Sequence, residues 1–258
     1  MIRSRQTPVL VFLVPLCCTA EYSSFIASFQ SQGYWSEHEY LEYKDELPEL
    51  KSFTVCHWEK TQFLSDSFNT IWAYCHHLSA NDLSLRCMEA FHTTPGEKGH
   101  SVMFFNKLNW GPEKSRIRKA WVISYRHRNW NHFCIVHSNT HKDTQLYHNG
   151  KHIKAMAFEG DDGPREYYMP KSTTVYDSAF TIGQEPDSLR GGFDKGEAFP
   201  GNISEFNVWD RALDEVEISA IVKCIYTKRG NIITWDLNKF SLNEVTTTDL
   251  SDPHRRIL

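Results

Sequence analysis

Four carboxylates, Glu185, Asp187, Asp194 and Glu197, crowd into the first half of the stretch QEPDSLRGGFDKGEAFPGNISEFNVWD, residues 184–210. At its centre stands Arg190-Gly191-Gly192, too flexible for a helix or strand to run through, so the segment is a loop that brings acids together. Like charges held a few ångströms apart repel. A loop of this composition holds either solvent or a cation among its side chains, and by composition alone it reads as a solvated acidic surface. The cation it suits is calcium, which takes oxygens from carboxylates, amides and backbone carbonyls in irregular geometry. The cluster has no His or Cys that would favour zinc.

Other residues could do other chemistry. The spacing Glu185-x-Asp187 puts paired acids on one strand face, as in some jelly-roll glycosidases. Against that, Pro186 cannot donate to a central ladder and a Gly pair follows, which makes the segment a loop. No Gly-x-Ser-x-Gly, His-Glu-x-x-His or Walker motif occurs, and the chain is read as a non-enzyme. Six histidines between His127 and His152 fall on several strands and a turn without zinc spacing. The basic stretch 114–130 interleaves Lys114, Arg116, Arg118, Lys119, Arg126 and Arg128 with Trp121, Tyr125 and Trp130. It reads as strands with cations outward, although a polyanion could bind there.

The elements that position the acids are mostly strands. Of 258 residues, 14% are aromatic and the net charge is −4, which gives no general pull toward nucleic acid. Residues 1–20 carry Arg3 and Arg5, an apolar run from Val9 to Leu16, and then Cys18-Thr19-Ala20, the pattern of a secretory signal peptide. A secreted, extracellular protein without a membrane span is expected. Residues 21–37 form a lead-in, the domain runs over 38–240, and 241–258 is a polar tail. SFTVC alternates as a half-buried strand, and Asn149-Gly150 marks a type I′ hairpin turn. Ile203 to Trp209 is a strand with Ile203, Glu205, Asn207 and Trp209 on one face and Phe206 and Val208 on the other. Asp214 and Glu217 form a capping box for one short helix. Once the leader is removed five cysteines remain, Cys56, Cys75, Cys87, Cys134 and Cys224. Cys75 and Cys87 flank the turn Ser79-Ala80-Asn81-Asp82 symmetrically, so a disulfide between them would close a short loop. Cys224 is left as a free buried thiol or an intermolecular link. Asn202-Ile203-Ser204 is a glycosylation sequon, with Asn202 the acceptor.

The run FTIGQEPDSLRGGFDKGEAFPGNISEFNVWDRAL, residues 180–213, resembles the calcium loop and following strand of the pentraxin family, the C-reactive protein and serum amyloid P component type. The resemblance implies that Glu185 and Asp187 bridge two Ca2+ ions and that Asp194 and Glu197 complete the outer one. Glu197 stands where the family often has Gln, and Pro186 contributes its backbone carbonyl. The family's Asp-Asn pair for the inner ion falls on the turn at 79–82. Either Asn81 holds the Asn position and Ala80 has lost the Asp, or Asn81-Asp82 is the pair in reversed order. The second keeps a carboxylate and is taken here. FTVC resembles the family strand that carries half of a disulfide, which implies a bond from Cys56 to Cys134. Around Cys134 the family signature is matched in part, with Val136, His137 and Asn139 replacing its hydroxyl, Trp and hydroxyl positions. A pocket beside the ions, lined by apolar side chains and a Glu, is implied between Leu83 and Phe105.

The fold implied is an all-β, two-sheet antiparallel jelly-roll sandwich with one short helix. The function implied is calcium-dependent, lectin-like recognition in innate defence. Its ligands would be phosphocholine, phosphoethanolamine or carbohydrate, presented to a cyclic homo-oligomer. A laminin-G-like adhesion module is the alternative from another class, with a jelly-roll glycosidase behind it.

Overall fold

The computed structural model describes residues 25–62, 69–79, 82–93, 100–108, 117–123, 128–157, 169, 171, 177–223, 225 and 229–250. Among them fourteen strands form two antiparallel sheets. In chain order they are β1 (Phe25–Phe29), β2 (Tyr40–Tyr43), β3 (Phe53–Thr61), β4 (Asn69–Ser79), β5 (Asp82–Thr93), β6 (His100–Leu108) and β7 (Ile117–Ile123), then β8 (Asn131–Ser138), β9 (Asp143–His148), β10 (Lys151–Ala157), β11 (Ser178–Ile182), β12 (Gly201–Trp209), β13 (Phe240–Asn243) and β14 (Thr246–Asp249). The first sheet runs β10-β9-β8-β3-β12-β1-β14 and the second β13-β2-β11-β4-β5-β6-β7. Strands adjacent in space are distant in sequence, as β1 beside β12 and β2 beside β11 show, which is how a jelly roll differs from a meander.

Alternation along the strands fills the space between the sheets. Phe53 and Val55 of β3, Phe133 and Ile135 of β8, and Trp72 and Tyr74 of β4 meet Phe180, Phe206 and Trp235 in one buried core. The opposite face of the first sheet carries Cys56, Cys134, Val136, Tyr147 and Trp209 and is covered by Leu213 and Ile218. Ile218 lies on α1 (Glu215–Val222), the one α-helix among the described residues, which starts at the expected capping box of Asp214 and Glu217. The hairpin between β9 and β10 turns at Asn149 (φ 51°) and Gly150 (φ 78°), two positive angles of the kind a type I′ turn requires.

Three expectations are corrected. The lead-in 21–37 contains β1, whose Phe25 stacks on Trp235 with ring centroids 4.1 Å apart. The Phe25 carbonyl accepts from Trp235 Nε1 and Ser204 Oγ, so long-range packing decides a segment with no clean periodicity. The segment 241–258 is not a tail throughout, because β13 pairs with β2 and β14 pairs with β1 through threonines. The strict alternation read for β12 also fails. A bulge between Ser204 and Asn207, with Glu205 at φ 51°, puts Ile203 and Phe206 together in the core. The leader at 1–20, Ala80, Asn81, Cys224 and residues 251–258 lie outside the described residues, as does much of the basic stretch 114–130. No helix among the described residues is long and apolar enough to cross a membrane.

Candidate functional site

The acidic segment leaves β11 at Ile182 and returns to the sandwich at β12, and its two ends are tied together. Gly183 donates to the Ile71 carbonyl (2.9 Å), while Phe199 donates to the Gly183 carbonyl (2.9 Å). Gly183 is at φ +97°, and a Cβ there would meet the Phe29 ring at 2.6 Å, so this close approach admits only glycine. Gln184 is fully buried and donates from Nε2 to the Ser36 carbonyl (2.8 Å), which fastens the loop root to the turn after β1.

From this root the loop folds back over the outer face of the second sheet, opposite the face that α1 covers on the first. Leu189 packs on Ala73, Cys75 and Cys87, and the Pro186 carbonyl oxygen lies 4.0 Å from Cys87 Sγ. Cys75 and Cys87 are directly paired on β4 and β5 and joined by a disulfide, the bond expected from their symmetric placement. The same hairpin ends where Ser79 pairs with Asp82, so the turn expected to hold the inner ion belongs to the element on which the loop sits. Of Asp82 only the backbone is described.

Within the loop, Ser188 and Gly191 exchange both backbone hydrogen bonds at 3.1 Å, with Arg190 at φ 63° and Gly192 at φ +70°. This tight reversal separates Glu185, Pro186 and Asp187 on the incoming limb from Asp194 and Glu197 on the outgoing one. Glu185 is buried against the sheet, whereas Asp187, two residues on, is exposed to solvent. Asp194 caps a single 3-10 turn, Lys195–Glu197, by accepting from Gly196 N (2.7 Å), which stations Glu197 on the same limb. All the side chains that could hold a cation here offer oxygen, the donor set of calcium rather than of zinc. Among the described residues these carboxylates do not form a group of three with oxygens within 4.8 Å of one another. The groups that do are Cys56–His132–Cys134 and Cys75–Cys87–Glu89, whose cysteines are joined in disulfides, including the bond Cys56–Cys134 implied by resemblance.

Sequence reasoning missed the groups that hold the loop from its sides. Arg190 reaches Glu42 of β2 in an ion pair and donates from Nη2 to the Ser178 carbonyl (3.1 Å), so the cation at the centre of the loop is drawn away from the acids. Tyr40 of β2 meets Phe193 with ring centroids 4.6 Å apart. Glu89 of β5 is buried beside the Cys75–Cys87 bridge, under the loop, in the range where an acid from the neighbouring strands was expected. Its position was not legible because β5 has to be placed beside β4 before its outward face is known.

The sequence profile of the Pentaxin family matches residues 29–249. Neuronal pentraxin-2 of Cavia porcellus is 28% identical over 201 residues, which are 76% of this chain and 40% of that protein. Neuronal pentraxin-1 of Homo sapiens is 28% identical over 198 residues, 76% of this chain and 39% of that protein. The chain therefore spans well under half the length of these curated relatives. Among solved structures, a native heptameric SAP-like pentraxin from Limulus polyphemus superposes with a TM-score of 0.63 at 21% identity, covering 90% of this chain and 97% of that one.

Proposed function

This chain belongs to the Pentaxin family, and from that premise we propose that it is a secreted, calcium-dependent recognition protein whose ligand completes the coordination of ions held by the 184–197 loop. A lectin-like binding role, without catalysis, is the coarse reading that family membership supports. One observation carries the finer one: an all-oxygen acidic loop is seated on a cross-strand disulfide, on the outer sheet face opposite the one α1 covers. Glu185 and Asp187 would bridge two calcium ions, Pro186 would add its carbonyl, and Asp194 and Glu197 would complete the outer ion. Asn81 and Asp82 would complete the inner one. The limbs carrying these acids must draw together when the ions bind, which removes the repulsion among them.

Cations on a shallow face accept a ligand's phosphate or hydroxyl oxygens directly. Phosphocholine, phosphoethanolamine and carbohydrate are the classes proposed. Such a site buries little area, so single-site affinity is weak and useful binding to a surface needs several copies in one cyclic homo-oligomer. Innate defence is the role proposed for that arrangement, and Asn202 is the proposed glycan acceptor. The test is binding to immobilised phosphocholine, phosphoethanolamine and bacterial polysaccharide with and without chelator. Retention that ignores the chelator on all three surfaces would reject the calcium-dependent reading.

A further inference from the structure

A carboxylate sits inside the sandwich where an apolar side chain would be expected. The alternation that points Phe53 and Val55 of β3 inward also points His57 and Glu59 inward, and both are buried. His57 Nε2 lies 2.9 Å from Glu59 Oε2, while Oε1 of the same carboxylate is in contact with Nε2 of His92, which belongs to β5 of the facing sheet. The carboxylate thus joins the two sheets through His92, while its other oxygen is held by His57 of its own strand. Burial by itself would raise the Glu59 pKa, but the positive charge of His92 and the hydrogen bonds from His57 and His92 outweigh it and hold the group at about 2.

Further imidazoles surround this clamp. His148 of β9 stacks on Phe133 with ring centroids 4.7 Å apart, and its Nε2 is 3.0 Å from Asn131 Oδ1 of β8. Phe133 is flanked on its other sides by His57 and His92, and β12 contributes Phe206, 5.7 Å from the His57 ring. On the other face of β8, buried His132 lies against Trp58 and the Cys56–Cys134 bridge. The titratable groups meeting in the clamp are therefore His57 and Glu59 from β3, His92 from β5 and His148 from β9, with His132 of β8 behind them on the outer face of the same sheet. One carboxylate balances one imidazolium. His57 Nδ1 is buried and has no hydrogen-bond partner among the described residues.

We propose that His57, Glu59 and His92 form an acid-sensitive latch that joins the two sheets near neutral pH and releases them when the surrounding imidazoles are forced to take protons. The direction follows from the groups that stay neutral when folded. Burial pushes His132 down to about 3, with the charges of His57 and His148 adding to it, and burial likewise lowers His148. In the unfolded chain both take protons near 6.5, so stability falls as pH drops through 6.5 and keeps falling towards 3. Glu59 adds a further loss between 4.5 and about 2, where only the unfolded carboxyl is protonated. The latch also lies close to the acidic loop's exit, since Glu59 pairs with Ile203 just inside β12. Opening it loosens the root on which the candidate site stands.

Two variants with opposite expected shifts test the latch by near-UV circular dichroism across an acid titration, since the loop carboxylates titrate alike in both. His57→Leu/Glu59→Leu/His92→Phe replaces the clamp with apolar side chains, an exchange buried ion clusters often tolerate. Its acid midpoint is expected to fall below that of the wild type by about half a pH unit or more. Glu59→Gln keeps the shape and removes the balancing charge, and its midpoint is expected to rise. If the triple variant does not fold, the direction of the Glu59→Gln shift decides alone. A midpoint unchanged in either variant, or a fall in Glu59→Gln, overturns the proposal.

Discussion

Asp187 is exposed two residues after buried Glu185, and the two are expected to do different work in one bridge. On the proposed bridge, Asp187→Ala would remove a charge shared by both ions while leaving the packing under the loop in place. Its calcium affinity is expected to fall by tenfold or more, roughly 1.4 kcal/mol per decade, as isothermal calorimetry would show. Arg190 acts from the side. Its partner Glu42 is only partly screened from solvent, so Glu42→Gln is expected to lower stability by at most about 1 kcal/mol. Releasing the guanidinium towards the acids should nevertheless weaken calcium binding. A Glu42→Gln protein that binds calcium as tightly as the wild type would show that Arg190 positions nothing.

At the scale of elements, the β4–β5 hairpin is the platform and its disulfide the contact surface. Cys75→Val/Cys87→Val keeps apolar bulk under Leu189 but removes the crosslink and lets the strand ends separate. The acidic loop is expected to become a preferred site of limited proteolysis in this variant, and removing calcium from the wild type should expose the same segment. Cleavage elsewhere first would argue that the loop does not depend on the hairpin. On the opposite face, α1 depends on its capping box. Asp214→Ala is expected to lower stability by about 1 kcal/mol, read by thermal unfolding, while leaving calcium affinity unchanged.

The whole molecule is a two-faced sandwich, with α1 on one outer face and the acidic loop on the other. A ring of such subunits can present all its loops to one surface, which turns weak sites into lasting attachment. Sedimentation in calcium is expected to give a discrete oligomer, and dilution to the monomer is expected to abolish retention on phosphocholine surfaces. A protein that remains monomeric yet is retained would remove multivalency from the account.

What could be read from residues alone was whatever depends on short-range chemistry. The acids around Arg190-Gly191-Gly192 form a loop because of that composition, Asn149-Gly150 turns because both residues accept positive φ, and Asp214 with Glu217 caps a helix because the box spans one turn. The jelly roll was legible through resemblance. Tertiary structure alone decided that Phe25 belongs to the core and that threonines at 246–248 make an edge strand, because their partners lie far away in sequence. It alone set Phe206 beside Ile203, since a bulge changes the period that alternation assumes. It also brought Glu42 to Arg190, Glu89 under the loop and His92 to Glu59. Each of these contacts joins segments whose proximity the order of residues along the chain does not specify, and the buried charge of Glu59 is stable only because the fold supplies His92 as its partner.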